Sequence, residues 1–515
     1  MLSQRLLKST ALVGAMTLIS RIFGLLRDIV IARLFGAGMG TDAFFVAFRI
    51  PNFFRRLFAE GAFAQAFVPV LSEYKAKRTP AEIQALLDHT TAVLGLVLLA
   101  VTAVGILLAP LLILLFAPGF HGEVGKFDLA VGLLRITFPY LFFISLTALA
   151  GAILNSYRRF AIPAFTPVLL NLALISSAIW LAPHMQEPIQ ALAWGVFIAG
   201  IVQLLFQLPF IINLKLLPRP WRGRDRDGVK RIFILMLPVM FGVSVSQINV
   251  MIDTLMASFL VSGSITWLYY ADRMMEFPLG VFGIALATVI LPQLSDKHAR
   301  GAQAEFSRTL DWGLRWILLI TLPALAGLAV LAGPIMITLF QYDEFTSHDA
   351  TMAAQALMAF ALGLPGFVLI KVLASAFFSR QDTKTPVRAG IIGMLVNIVL
   401  NLALISSLAH VGLALATAIA ALVNASLLFI WLRRGRHYQP LGGWHWFLLR
   451  VTLATLIMAT LLYLSIPVLQ SWLLLDAWAR VMQLGLWIGA GMLVYPLALG
   501  LLGFRPAHLG QADSV

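Results

Sequence analysis

RIFGLLRDIVIARLFGAGMGTDAFFVAFRIPNFFRRLFAE, residues 21–60, decides how the chain is read. It sets Arg21, Arg27, Asp28, Arg33, Asp42, Arg49, Arg55, Arg56 and Glu60 into a background that otherwise reads as membrane-embedded helix. Charge at membrane depth is costly and is kept mainly where it faces a bundle interior or a water-filled path. The stretch therefore predicts two charged helices turned towards such a path.

The whole chain agrees with that reading. Its 515 residues are 60% hydrophobic and only 12% charged, with a mean hydropathy of +0.91. Its long apolar runs match spanning helices of about 20 residues. An all-α polytopic membrane protein is expected. The lack of cysteine excludes disulfides, thiolate metal sites and cysteine nucleophiles. A net charge of +14 would suggest nucleic acid in a soluble protein. Here it belongs to loops facing anionic lipid, and no nucleic-acid partner is expected. Arg5 and Lys8 ahead of Ala11–Ile19 imitate a signal peptide, but Arg21 follows without a small-residue cleavage site. This segment is expected to stay as the first helix.

Fourteen spans are predicted, near residues 8–34, 42–73, 90–117, 128–155, 162–183, 190–214, 231–260, 265–294, 311–341, 350–378, 387–408, 411–432, 447–470 and 478–502. Alternate connections carry Lys75, Lys77 and Arg78; Arg158 and Arg159; Arg219 to Arg231; Lys297 and Arg300; Arg380, Lys384 and Arg388; and Arg433, Arg434 and Arg436. The loops between them are nearly free of lysine and arginine. The positive-inside rule places the basic set in the cytoplasm, and an even span count puts both termini there too.

An internal duplication organises the spans. Val68-Pro69-Val70-Leu71-Ser72-Glu73 resembles Leu291-Pro292-Gln293-Leu294-Ser295-Asp296, and the prolines are 223 residues apart. Ser156 and Ser379, and Pro163 and Pro386, share that offset. Asn171-Leu172-Ala173-Leu174-Ile175-Ser176-Ser177 recurs as Asn401–Ser407 at an offset of 230, two helical turns longer. Each copy holds six spans and starts on the same side. Such a parallel repeat builds two facing bundles with a substrate site between them. The expected domains are 1–222 and 223–440, two six-helix lobes, followed by 441–515, two extra helices and a tail.

The charges fall on defined faces. Asp42, Arg49 and Arg56 are seven apart and Glu60 continues four residues on, so a regular helix shows all four on one face. Pro51 removes a backbone donor and is expected to kink it. Span eight answers with Asp272, Arg273 and Glu276, and span ten with Lys371 as a further buried cation. Internal pairing, Arg21 with Asp28 and Arg273 with Glu276, would explain single residues. It does not explain six arginines against three carboxylates in residues 21–60. A surplus of guanidinium suits phosphate or diphosphate, which it binds bidentately.

At these residues the chain resembles a family, the bacterial MurJ (MviN) lipid II flippases of the multidrug/oligosaccharidyl-lipid/polysaccharide exporter superfamily. The resemblance rests on Ser20–Asp28, Phe35-Gly36-Ala37-Gly38, Thr41-Asp42-Ala43-Phe44 and Pro51–Ala62. It extends through Tyr269–Arg273 with Glu276-Phe277-Pro278, and through Phe378–Pro386. It implies two six-helix lobes around a cationic cavity open alternately to each side. The implied substrate is the undecaprenyl-diphosphate-linked disaccharide pentapeptide of peptidoglycan synthesis. The residues matching the family's essential charges are Arg21, Arg27, Asp42, Arg55, Arg56, Asp272, Arg273 and Glu276. Arg49 stands where some relatives have lysine. Spans thirteen and fourteen would line a groove for the lipid tail. Partners would be lipid II, membrane lipids and cell-wall synthesis machinery.

Asp253, Asn397, Asn401 and Thr417 offer oxygen ligands of the hard type sodium takes. Sodium coupling, proton coupling through Asp253 and plain amide bridging between helices remain open. No other cofactor is expected. A multidrug exporter of the same superfamily should favour acidic and aromatic cavity residues, the opposite sign. A membrane transferase would need clustered carboxylates or histidines, which the sequence does not offer, so no enzyme is expected. A flippase for another undecaprenyl-diphosphate-linked oligosaccharide is the nearest alternative.

Overall fold

The fold is seen in a computed structural model that describes residues 2–56, 63–220, 223 and 225–505. Among them every regular element is helical. Two compact units divide the chain, Met1–Gly263 and Ser264–Val515.

The first unit holds α1 (Leu2–Phe35), α2 (Met39–Arg55), α3 (Ala64–Lys77), α4 (Pro80–Leu107), α5 (Ala109–Phe116), α6 (Lys126–Thr137), α7 (Tyr140–Ser156), α8 (Ala161–Ser176), α9 (Gln190–Asn213) and α10 (Arg226–Ala257). The second holds α11 (Ser264–Pro278), α12 (Ile284–Ala299), α13 (Gln303–Phe340), α14 (Ser347–Phe378), α15 (Lys384–Arg434), α16 (Trp444–Ser465), α17 (Leu469–Leu473) and α18 (Ala477–Leu501). Each of the fourteen expected spans falls on helix, apart from the undescribed 57–62 in the second. Nine helical stretches among the described residues are long and apolar enough to cross a membrane by length and composition. This is an all-α polytopic membrane protein.

Local chemistry fixes several of the ends. Thr79 and Glu82 form a capping box ahead of α4, with Pro80 in its first turn, as Thr346 and Asp349 do ahead of α14. The duplication shows in the element starts: Pro80 of α4 and Gln303 of α13, like Ala161 of α8 and Lys384 of α15, lie 223 residues apart. Both copies also leave α geometry at the same place. A wide turn at Arg56 follows α2, and a π turn at Leu279–Gly283 follows α11.

Pro51 does not end α2 at its own position. The helix runs on to Arg55. The carbonyl of Ala47, four residues back and deprived of its usual N–H donor, accepts instead from the buried Thr137 hydroxyl at 3.0 Å. Spans eleven and twelve are the two helices of α15, which Ala409 separates with a non-helical φ of 48 and ψ of −127. α10, which the duplication counts with the second copy, packs within the first unit. Arg231 meets Glu73 at 2.7 Å, and the Gly119 N–H donates to Ser258 at 3.1 Å. In the second unit, α16 and α18 close on α13 through Phe447, Val451, Ala454, Ala498 and Leu499, against Trp312 and Trp316.

Candidate functional site

On α1 the fork of Arg27 closes on its neighbour: Nε and Nη2 donate to Asp28 Oδ1 at 3.0 and 2.6 Å. Nη1 donates to Asn171 Oδ1 of α8 at 3.1 Å, and Asn171 donates in turn to the Ser20 carbonyl at 3.2 Å. Asp28 is thus held by Arg27, not by Arg21 as spacing suggested. Arg21 is half-buried on the same helix, and Arg33 is exposed. Asn171 opens the repeated heptapeptide, 144 residues from Arg27, and no spacing rule pairs the two.

The seven-residue stripe of α2 faces one way, as its spacing predicts. Asp42 accepts from the Gly263 N–H at 2.8 Å. Arg49 donates to Thr254 at 2.6 Å, and Arg56 to Gln247 at 3.5 Å. As numbers rise along α2, the partners' numbers fall from Gly263 to Thr254 and Gln247 of α10, so the long side chains of the stripe reach towards α10. Arg55 turns aside and donates to Asn52 one turn back at 3.0 Å. Glu60 lies outside the described residues.

At the Asp42 end the sequence reading missed a lysine. Lys126, read as part of a loop, is buried and meets Asp42 at 3.3 Å and Glu123 at 3.1 Å. Ser262 donates to both oxygens of Glu123 at 2.8 and 2.7 Å. Burial pushes the Glu123 carboxyl up, but the Ser262 hydroxyl and the Lys126 ammonium outweigh it and hold the group below its ordinary range. The available signal was a lone lysine in a loop otherwise free of basic residues.

In the second unit Arg273 donates to Glu276 at 3.2 Å, the i, i+3 pair the sequence predicted, with side chains 37% and 47% exposed. Asp272 beside them is half-buried. Lys371 corrects the expectation of a buried cation: it is exposed, on a face of α14 that packing leaves uncovered.

The oxygen ligands proposed for sodium divide between the units. Asp253 is half-buried on α10. On α15, Asn397 and Asn401 are fully buried. Thr417 Oγ1 lies 3.5 Å from Asn397 Oδ1 and donates to the Leu413 carbonyl at 3.0 Å. The donor types fit a hard cation. Among the described residues, no three of His, Asp and Glu gather as a metal-holding group.

A second buried ion pair also escaped the sequence reading. Asp311 on α13 accepts from Arg315 at 2.8 Å, Tyr438 at 2.6 Å, the Leu441 N–H at 3.1 Å and Trp444 Nε1 at 2.8 Å. Burial and the bond to Asp311 hold the Tyr438 hydroxyl far above the usual tyrosine range. The network fastens residues 438–444, and with them the start of α16, to α13. Its signal was an i, i+4 acid–base pair at the head of an apolar span.

Comparison with known proteins gives these charges a setting. Residues 31–482 match the family model described as lipid II flippase MurJ. A probable lipid II flippase MurJ of Vibrio cholerae is 48% identical, covering 99% of this chain and 98% of its own. A lipid II flippase MurJ of Burkholderia cenocepacia is 44% identical over 89% and 90%. Among solved structures, a lipid II flippase MurJ in an inward closed conformation superposes with a TM-score of 0.81 at 29% identity, covering 95% of this chain and 98% of that one. An inward-facing multidrug resistance transporter of the MATE family shares the fold, with a TM-score of 0.66 at 14% identity. With a family match over most of its length and relatives this similar along their whole chains, the protein belongs to the MurJ family.

Proposed function

We propose that this chain moves lipid II, the undecaprenyl-diphosphate-linked disaccharide pentapeptide, from the inner to the outer leaflet of the bacterial inner membrane by alternating access. Both termini lie in the cytoplasm. The diphosphate is held by Arg21, Arg27, Arg55, Arg56 and Arg273, with Arg49 a further substrate-binding cation. Asp28, Asp42, Glu60, Asp272, Glu276 and Lys371 set the position and charge of these groups. The lobes follow the duplication, 1–222 and 223–440, and residues 441–515 serve the lipid tail.

The observation that carries this reading is the α2 stripe. On it Arg49 donates to the Thr254 hydroxyl and Arg56 to the Gln247 amide oxygen, while Arg55 beside it donates to Asn52. A diphosphate, with its paired ionised oxygens, accepts bidentately from a guanidinium fork, which a single hydroxyl or amide oxygen does not. Outward movement of the anion is favoured by an inside-negative potential, by about 2.3 kcal/mol per charge per 100 mV. Sodium at Asn397, Asn401, Thr417 and Asp253, or a proton on Asp253, are the coupling routes that remain.

The test is depletion of the protein in cells that rely on it, with lipid II measured in the outer leaflet. Export should stop. It should return with the wild-type chain and stay absent with Arg21→Ala or Arg273→Ala at equal protein level. Export restored by both variants would remove the diphosphate clamp.

A further inference from the structure

Trp267, on the first turn of α11, is buried, and its indole Nε1 donates to Asp349 Oδ1 at 2.9 Å. Asp349 sits on the first turn of α14. Its other oxygen accepts from the Thr346 N–H at 2.9 Å and the Thr346 hydroxyl at 2.7 Å. Two imidazoles flank the indole: His410 with ring centroids 5.1 Å apart, and His348 edge-on at 5.7 Å. His348 is exposed. His410 is 4% exposed, and its Nε2 lies 3.0 Å from the Met352 carbonyl. A carbonyl only accepts, so Nε2 carries a proton and the ring's remaining freedom is whether Nδ1 is protonated too.

His410 follows directly on Ala409, whose φ of 48 places a non-glycine residue in the left-handed region. Such a conformation persists only where its surroundings hold it. One titratable ring therefore joins the start of α11, the start of α14 and the break in α15.

The groups around His410 oppose a second proton. α14 presents His348, a like charge when protonated, and Asp349, already engaged by three donors. The first turns of α14 also offer the positive end of the helix dipole. α15 carries no other ionisable side chain between Arg388 and Arg433. α11 has none before Asp272 apart from the phenols of Tyr269 and Tyr270. The loop before α14 bears Asp343 and Glu344, both exposed to water.

We propose that His410 is a proton-operated pin: neutral, it fastens the start of α11 to α14 and to the α15 break, and protonated, it frees that start. Asp272, Arg273 and Glu276 lie about 8 to 14 Å further along α11, so the pin governs how steadily the second unit presents them. This consequence rests on the proposed function. The pin itself does not.

The chain has no cysteine, so nitroxide labels can be placed on Leu268 and Gln355 alone and their separation followed in lipid nanodiscs from pH 8 to pH 5.5. The wild-type separation should widen as pH falls, with its midpoint below the ordinary histidine value of 6.5 because burial disfavours the charged ring. His410→Gln keeps an N–H for Met352 and should hold the alkaline distribution throughout. His410→Asn, read the same way, replaces it if it fails to accumulate. His348→Gln should still widen, with its midpoint moved to higher pH because a like charge has gone. An unchanging wild type, a widening His410 variant, or loss of the response in His348→Gln would overturn the pin. Lipid II transport assayed in the same preparations is read separately: its absence at every pH would undo the substrate assignment and leave the pin standing.

Discussion

Lys126 and Asp42 are 84 residues apart in sequence and 3.3 Å apart in space, with side chains 2% and 1% exposed. Removing one partner of a buried pair strands the other charge. Lys126→Ala should therefore destabilise the protein by about 3–5 kcal/mol, and Lys126→Met with Asp42→Asn should recover most of that. Thermal unfolding in detergent, run as a double-mutant cycle, measures it.

Glu123 ties the same cluster to pH. Its folded value lies below its unfolded one, so its stabilising contribution is full above the unfolded value, about 4.3. It is lost as pH falls through the folded value. Glu123→Gln should lower the neutral plateau and flatten the acid limb of stability against pH, so that the two proteins converge at low pH.

Thr137 lends its hydroxyl to the carbonyl that Pro51 leaves without a donor. Thr137→Val keeps the shape and removes the donor, and should cost about 1–3 kcal/mol. Pro51→Ala in that background restores an N–H from within the helix and should return part of the loss.

Arg27 uses its planar fork to hold Asp28 and Asn171 together. Lysine keeps the charge without that geometry. Arg27→Lys should lower lipid II export by about tenfold or more at unchanged protein level, since bidentate contact is what the substitution removes. Quantified outer-leaflet lipid II in depleted cells is the measurement.

Hydropathy made the spans legible, because each is long and apolar and its basic loops alternate. The seven-residue spacing of Asp42, Arg49 and Arg56 made their shared face legible too, because a regular helix fixes it. What faced the stripe was not. Thr254 and Gln247 lie some 200 residues away in sequence, and only the fold brings α10 to α2. Pairing within a helix was easy for Arg273 and Glu276 and misleading for Asp28, where the adjacent Arg27 reaches round and Arg21 does not. Lys126 was hidden because position in a loop was taken to mean exposure to water. Lys371 erred the other way, since position in a span was taken to mean burial.

The Asp311 network sets an order on the making of this protein. Its partners Tyr438, Leu441 and Trp444 are synthesised 127 to 133 residues later. During that interval Arg315, one turn away, is the partner that travels with Asp311. The head of α13 must wait, part-satisfied, until most of the second repeat has entered the bilayer. Arrival of residues 438–444 then seals the site, so a chain cut short before Tyr438 carries an unfinished carboxylate.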